Sequence, residues 1–246
     1  MTSNGVERSP DYRRRIYDHY VSAGQAGDID TALSSRAVFC RALISKHFPD
    51  DRETQGIDLG CGHGVLLYFA QQAGYRQISG VDASAEQVEL AKQLGVANVS
   101  QGDLWNTLQA TDSASQDLVI SFDLIEHLPK AELTTLVDGV HRVLRADGRW
   151  LITTPNAESP MFGRVRYGDL THELAFTRGS LSALLIASGF RQVQCHELAP
   201  VPVGIVGRGR WLVWKAVRAA LRVYLAAESG ERDGLFTQNL LAVAHK

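Results

Sequence analysis

The octapeptide IDLGCGHG, from Ile57 to Gly64, is an apolar run that meets an acid and then three glycines spaced G-x-G-x-G. Such a run reads as a buried strand, and the glycines behind it as a strand-to-helix turn. Glycine there admits positive φ at little cost and lets backbone approach a ligand closely, because no Cβ intervenes. The chain then repeats the pattern. Strand-like runs QISGVD, VANVSQGD, DLVISFD and RWLITTP alternate with helical stretches VLLYFAQQAG, SAEQVELAKQLG and AELTTLVDGVHRVLRADG. Gly74, Gly95 and Gly148 close these helices, as left-handed caps require. Alternation with short links predicts an α/β fold built on a parallel, doubly wound sheet. Right-handed crossovers then place a ligand crevice at the C-terminal ends of the strands.

The chain's 246 residues suffice for one well-buried α/β domain with elaborations. A net charge of −2 gives no global field for nucleic acid, and basic residues do not gather near the strand ends, so no nucleic-acid partner is expected. Cys40, Cys61 and Cys195 are odd in number and far apart, making neither a disulfide framework nor a metal clip. The opening MTSNGVERSPDYRRR has no apolar stretch, so a reducing cytoplasm is the expected compartment.

A dinucleotide turn would be spaced G-x-G-x-x-G, from which Gly60-Cys61-Gly62-His63-Gly64 departs. The plain alternative is any strand-to-helix turn that needs glycine. Asp82 ends the next strand, where an acid can accept both hydroxyls of a ribose, a feature that NAD would satisfy equally. Asp103 ends the strand after that and can accept an adenine amine, while Asp58 can hold an ammonium group. An ammonium, a ribose and an adenine with no pyrophosphate describe S-adenosylmethionine. In order, IDLGCGHG, GVDAS, GDLW and SFDLIEHL resemble the motifs of class I S-adenosylmethionine-dependent methyltransferases, over roughly residues 53–155. The resemblance implies a Rossmann-like seven-stranded sheet, mostly parallel, with an antiparallel last strand inserted beside the fifth. It also implies that Asp58, Gly60, Cys61, Gly62, Asp82, Ala83, Gly102, Asp103, Leu104 and Phe122 line the cofactor. The expected organisation is one domain over 1–246. It has a helical cap at 1–50, a cofactor-binding core at 51–155 and a substrate side at 156–246. The last of these holds a long loop, a helix at RGSLSALLIASGF, a strand at RQVQCHEL, a helical insertion near 205–227 and a terminal strand.

FDLIEHLPK follows the fourth strand and sets Asp123, Glu126 and His127 in a D-x-x-E-H pattern, one face of a helix if the segment is helical. Two carboxylates and an imidazole suit Mg²⁺ or Mn²⁺ better than zinc. The alternative is a pocket-shaping segment without metal. GDLTHELAFTRGSLSALLIASGF is similar to the G-T-H-x-x-x-F-x-x-x-x-L segment of ubiquinone-biosynthesis O-methyltransferases, which implies that His172 comes to the pocket mouth. The acid-x-x-Glu-His motif with a later His also resembles the metal site of small-RNA terminal 2′-O-methyltransferases. These resemblances imply Asp123, Glu126, His127 and His172 as metal ligands and His172, His127 and Asp123 as catalytic residues. The first position is Asp here, where those families usually have Glu. Without metal, His172 would serve as general base. Arg166 and Asp169 are expected to orient substrate, and His63, His141 and His245 to be structural or on the surface.

IVGRGRWLVWKAVRAALRVYLAAESGE is long enough to span a bilayer, but its five basic residues oppose that. A helix there is expected to gather Lys215, Arg218 and Arg222 in one stripe, with Trp214, Val217, Leu221 and Tyr224 on an apolar face. Such a helix suits the interface of an anionic membrane at the inner face of the cell, or else packs on protein as a lid or homodimer contact. An extension at this place resembles that of bacterial methyltransferases of surface-glycan biosynthesis. This implies a sugar or glycan hydroxyl as acceptor, with a polyprenyl-quinone catechol second. The N-terminal RRRIYDHY is expected to cap the pocket through Tyr17 or Tyr20. Two competing classes are an NAD oxidoreductase, which the glycine spacing and Asp103 disfavour, and a non-catalytic binding protein. The polar convergence of Asp123, Glu126, His127 and His172 argues against the latter.

Overall fold

Strand segments whose residues alternate between two apolar environments form the middle of a three-layer fold. The computed structural model describes residues 29–246 together with Ile16 and His19, so Tyr17 and Tyr20 lie outside the described residues. In chain order the elements are α1 (Ile29–His47), β1 (Gly56–Leu59), α2 (Val65–Gln72), β2 (Ile78–Asp82), α3 (Ala85–Gln93), β3 (Val99–Gln101), α4 (Leu104–Ala110) and β4 (Gln116–Phe122). A 3₁₀ turn at Ile125–His127 follows. Then come α5 (Lys130–Val143), β5 (Leu144–Pro155), α6 (Phe162–Arg166), α7 (Arg178–Ala187), β6 (Gln192–Glu197), α8 (Gly204–Ser229) and β7 (Asn239–His245).

The sheet has the order β3-β2-β1-β4-β5-β7-β6. Neighbouring strands among β1 to β5 pair in parallel, and β7 lies antiparallel between β5 and β6. That is the expected seven-stranded arrangement, with the last strand beside the fifth. Side-chain alternation divides the core. Leu118, Ile120 and Leu151 point into one cluster with Leu43, Leu67 and Val88 from α1, α2 and α3. Val119, Trp150 and Ile152 point into the other with Leu136, Val140 and Leu185 from α5 and α7. Each fully buried aliphatic side chain among these contributes about 1.5–3 kcal/mol.

Three details differ from the sequence-based expectation. The helix expected to run to Gly148 stops at Val143, and Leu144 already pairs with Gln116 as the first residue of β5. Gly148 marks a tight bend in that strand: a Cβ there would stand 2.9 Å from the Arg145 carbonyl and 3.1 Å from the Gln116 carbonyl. The loop after Pro155 contains the one-turn helix α6. The third difference concerns α8, whose inner side carries the half-buried Trp211, Trp214, Arg218 and Leu221. Arg218 belongs there because its guanidinium reaches Glu197 at 2.6 Å and Asp233 at 3.5 Å. The expected stripe of Lys215, Arg218 and Arg222 is therefore broken. Arg218 is an inward ion-pair partner, and Trp214 and Leu221 lie against the domain rather than on a free apolar face. Among the described residues, no helix is long and apolar enough to cross a membrane.

One close approach sets the position of the glycine turn. A Cβ on Gly80 in β2 would lie 2.6 Å from Leu67 Cδ1 and 2.7 Å from Cys61 Sγ. Gly80→Ala is expected to push Cys61 and Leu67 aside and to lower the unfolding free energy by about 1–3 kcal/mol, as overpacking does. Denaturant titration measures that loss.

Candidate active site

The carboxyl ends of β1 and β2 meet at the glycine turn. The amides of Gly60 and Cys61 both donate to the Val81 carbonyl, at 2.8 and 3.1 Å, which folds the turn over the end of β2. Gly60, Gly62 and Gly64 all have positive φ (72°, 56° and 72°), a conformation that L side chains rarely adopt. Asp82 then secures the bend: one carboxylate oxygen accepts the Gly62 amide at 2.8 Å and the other accepts the Ser84 amide at 2.8 Å. Burial raises the Asp82 carboxyl above its usual range, and the two amides pull it partly back.

Asp58 sits beneath the turn, 2% exposed, and its Oδ1 has no hydrogen-bond partner among the described residues. Burial and the neighbouring Asp82 charge push its carboxyl up to about 8. A buried acid with an unsatisfied oxygen is a receptor for a cationic donor. Asp103 caps α4, its Oδ1 accepting the amides of Trp105 and Asn106. Gly102 bonds back to the Asp82 carbonyl, placing Asp103 and Leu104 one strand from Asp82 and Ala83. Phe122 ends β4 on the other side of β1 and packs against the core with Cys61.

A second polar cluster stands beside this crevice. Leu124 Cδ1 lies 3.1 Å from the place a Cβ on Gly60 would occupy, so the segment after β4 touches the turn. That segment forms a 3₁₀ turn instead of an α-helix, and Asp123 precedes it with φ 51°. The expected single face of Asp123, Glu126 and His127 is consequently lost. Asp123 Oδ1 accepts from Thr153 at 3.0 Å and Asn239 at 3.1 Å, on the far side of β5 and β7. Glu126, His127 and His172 do come together, with one candidate ligand atom from each within 4.8 Å of the others. The Glu126 carbonyl accepts the amides of Glu173 and Leu174 at 2.7 and 2.9 Å, which pins the His172 loop against the 3₁₀ turn.

Protonation in this cluster follows from its hydrogen bonds. Asp169 accepts the Thr171 hydroxyl at 2.6 Å and the Thr171 amide at 2.8 Å. Burial alone would raise the Asp169 carboxyl, but the Thr171 bonds and the nearby imidazoles outweigh it and hold the group below its usual range. The Thr171 hydroxyl proton is thus spent on a carboxylate, and its oxygen accepts from His127 Nδ1 at 2.8 Å. His127 carries its proton on Nδ1. Burial and the neighbouring His172 drive the His127 imidazole down to about 4, so the ring is neutral. His172 Nδ1 faces the Val165 carbonyl at 3.2 Å and must donate to it, which leaves any accepting role to Nε2. The two rings meet edge to face, 4.7 Å between centroids. Glu126 is fully buried, with Oε2 accepting from Thr154 at 3.1 Å and Oε1 without a hydrogen-bond partner among the described residues. Burial and the Asp123 charge raise its carboxyl well above the ordinary value.

Two other expectations are refined by this geometry. Asp169 faces Thr171 and so orients His127, and Arg166 donates to the Glu173 carbonyl at 2.9 Å, which braces the loop. Thr171 and Thr154 escape notice in the sequence. The spacing D-x-T, which favours an Asx-type turn, is the signal that could have found Thr171. Nothing local marks Thr154, because its partner lies across the β4–β5 crossover.

Residues 57–148 match the family model described as a methyltransferase domain. An uncharacterized methyltransferase of Schizosaccharomyces pombe is 32% identical over 149 residues, 58% of this chain and 51% of that protein. The ubiquinone biosynthesis O-methyltransferase of Haemophilus ducreyi is 28% identical over 108 residues, 41% of this chain and 44% of that protein. The chain spans about half the length of these curated relatives. A solved structure of a SAM-dependent methyltransferase from Archaeoglobus fulgidus shares the fold with a TM-score of 0.65 at 19% identity, covering 96% of this chain and 100% of that one.

The relay from Asp169 through Thr171 gives two measurable outcomes. Thr171→Val removes the hydroxyl that His127 Nδ1 meets, and the expected loss is about 0.5–1.5 kcal/mol of stability together with a changed ¹⁵N tautomer signature. In the intact chain the His127 ring should titrate near pH 4 in an NMR series, against an ordinary value of 6.5. Its stability contribution is therefore complete above pH 6.5 and is lost as pH falls toward 4, because only the unfolded chain gains the proton in that interval.

Proposed function

The chain belongs to the class I S-adenosylmethionine-dependent methyltransferases through residues 57–148, and from that premise we propose that it methylates a hydroxyl oxygen of a sugar, glycan or lipid-linked saccharide. The observation that carries the oxygen-directed reading is the pair of imidazoles, His127 and His172, beside the fully buried Glu126 at the edge of the glycine turn. A polyprenyl-quinone catechol is the second acceptor class, favoured by the likeness to a ubiquinone-biosynthesis O-methyltransferase.

The donor fits the residues present. The unpartnered Asp58 oxygen suits an ammonium group, the positive-φ glycines leave room for a methionine moiety and its sulfonium, and in this reading Asp82 and Asp103 accept from ribose and adenine. Transfer is an in-line displacement in which the acceptor oxygen forms a bond to the methyl carbon as the carbon–sulfur bond breaks. The sulfonium leaves as a neutral thioether. Much of the rate in such a step comes from alignment. His172 Nε2 takes the hydroxyl proton, a contribution worth roughly 10²–10⁴-fold. The Asp169–Thr171–His127 chain keeps the second ring in one tautomer beside it.

Glu126, His127 and His172 would also hold a divalent ion. With Asp123 bound elsewhere the donor set is one carboxylate and two imidazoles, which suits Mn²⁺ better than Mg²⁺. A bound ion would acidify the acceptor hydroxyl as a Lewis acid.

Calorimetry with S-adenosylhomocysteine is expected to show saturable binding that Asp82→Ala abolishes, with no heat from NADH. At pH 7 the same titration, run in buffers of different ionisation enthalpy, should report release of up to one proton. Asp58, held near 8 without ligand, ionises when a cation approaches it. Failure to bind the homocysteine product, or saturation by NADH, overturns the proposal. His172→Ala should lower turnover roughly 10²–10⁴-fold while leaving product affinity intact. Activity silenced by EDTA and restored by Mn²⁺ assigns the cluster to metal, and indifference to chelator assigns His172 as the base.

A further inference from the structure

Among the described residues, much of the exposed large apolar surface lies on the outer side of α8. The helix has 26 residues, about 39 Å at the usual rise, and none of them is buried. Its inner side, described above, holds it on the domain through Arg218 and the ion pairs to Glu197 and Asp233. At about 100° per residue, the opposite side collects Ile205, Leu212, Val213, Val217, Val223 and Tyr224 within an arc of about 140°. Ile205 is 91% exposed, Leu212 61% and Val223 71%. Val206, alanines and Gly209 fill the spaces between them, and no charged residue enters the arc. Arg208 and Lys215, seven residues apart and exposed, flank one margin of it, and Arg210 stands on the other, whereas Arg222 donates back to the Arg232 carbonyl at 2.8 Å. Glu228 is the helix's one acid.

We propose that this face docks on an anionic lipid bilayer, with the apolar arc sunk into the headgroup–acyl boundary and Arg208 and Lys215 set against lipid phosphates. An interfacial helix needs this combination of a wide uncharged arc and cations at its margin. Charge opposes an antiparallel pairing with a second copy of the chain. In an antiparallel pair joined through the arc, the two cationic margins would lie side by side, and like charges at that spacing repel. Lipid phosphate neutralises the same margin. The placement also has a consequence for the crevice. The helix leaves the sheet just after β6, whose Glu197 pairs with Leu240 next to the Asn239–Pro155 pair at the carboxyl end of β5. Docking therefore brings the crevice edge of the sheet to the membrane, within reach of an amphiphilic acceptor. The docking argument itself stands on α8 alone and is independent of the proposed chemistry.

Flotation of the full chain with vesicles of equimolar phosphatidylglycerol and phosphatidylcholine tests the proposal. Binding is expected, at least tenfold weaker on phosphatidylcholine alone and reduced by 0.5 M salt. Arg208→Ala with Lys215→Ala should weaken it about 30-fold. Leu212→Asp with Val223→Asp should abolish it, and circular dichroism should show both variants folded because the altered positions face solvent. No binding by the intact chain, equal binding to neutral vesicles, or unchanged binding by the folded variants overturns the proposal. A concentration-dependent dimer that Leu212→Asp dissolves, with no vesicle binding, assigns the face to a second copy and also overturns it.

Discussion

The two hydrogen bonds accepted by Asp82, from the amides of Gly62 and Ser84, join two strand-to-helix turns through one side chain. Three glycines with positive φ would otherwise give that turn several conformations of similar energy. Fixing it also fixes what lies beneath and beside it: Asp58 under the bend, Leu124 against Gly60, and with Leu124 the segment that carries Glu126 and His127. The cost is an acid held partly out of water. The two amides compensate for that burial, as charge-assisted bonds do.

The cluster beside the turn is built on opposing demands. Glu126 is fully buried with an oxygen lacking a partner, an arrangement that opposes ionisation and so loses stability as pH rises through its raised pKa. His127, neutral through burial, loses stability in the other direction, as pH falls. Asp169 and Thr171 settle the ring's tautomer. Polar groups arranged this way serve chemistry better than stability, since an apolar core at the same place would avoid both penalties.

The long helix near the C-terminus follows a different economy. Its inner side is anchored by an ion pair, Arg218 to Glu197, and by half-buried aromatic and aliphatic groups, while its outer side spends exposed valine, leucine and isoleucine in open water. Contiguous apolar surface of this kind is unusual on a monomer and marks a binding face. The middle cation of the expected helical stripe, Arg218, holds the helix down, while Arg208 and Lys215, seven residues apart, remain outside.

Local pattern determined much of this protein. Apolar runs ending in acids, each followed by a helical period, specify parallel strands with carboxylates at their tips, so the sheet and the places of Asp58, Asp82 and Asp103 were legible from residues alone. These features depend on neighbours in sequence, and short-range propensity and periodicity carry them. The rest required contacts between distant segments. Asp123 leaves the histidine cluster because Thr153 and Asn239, 30 and 116 residues away, take its oxygen. Thr171 becomes the orienting partner of His127 only when a loop folds back across 44 residues. Arg218 turns inward for a glutamate on a different element. Hydrogen bonds of side chains are directional and satisfied by whichever partner the tertiary fold delivers, and that delivery, invisible to a local window, decided which polar residues meet.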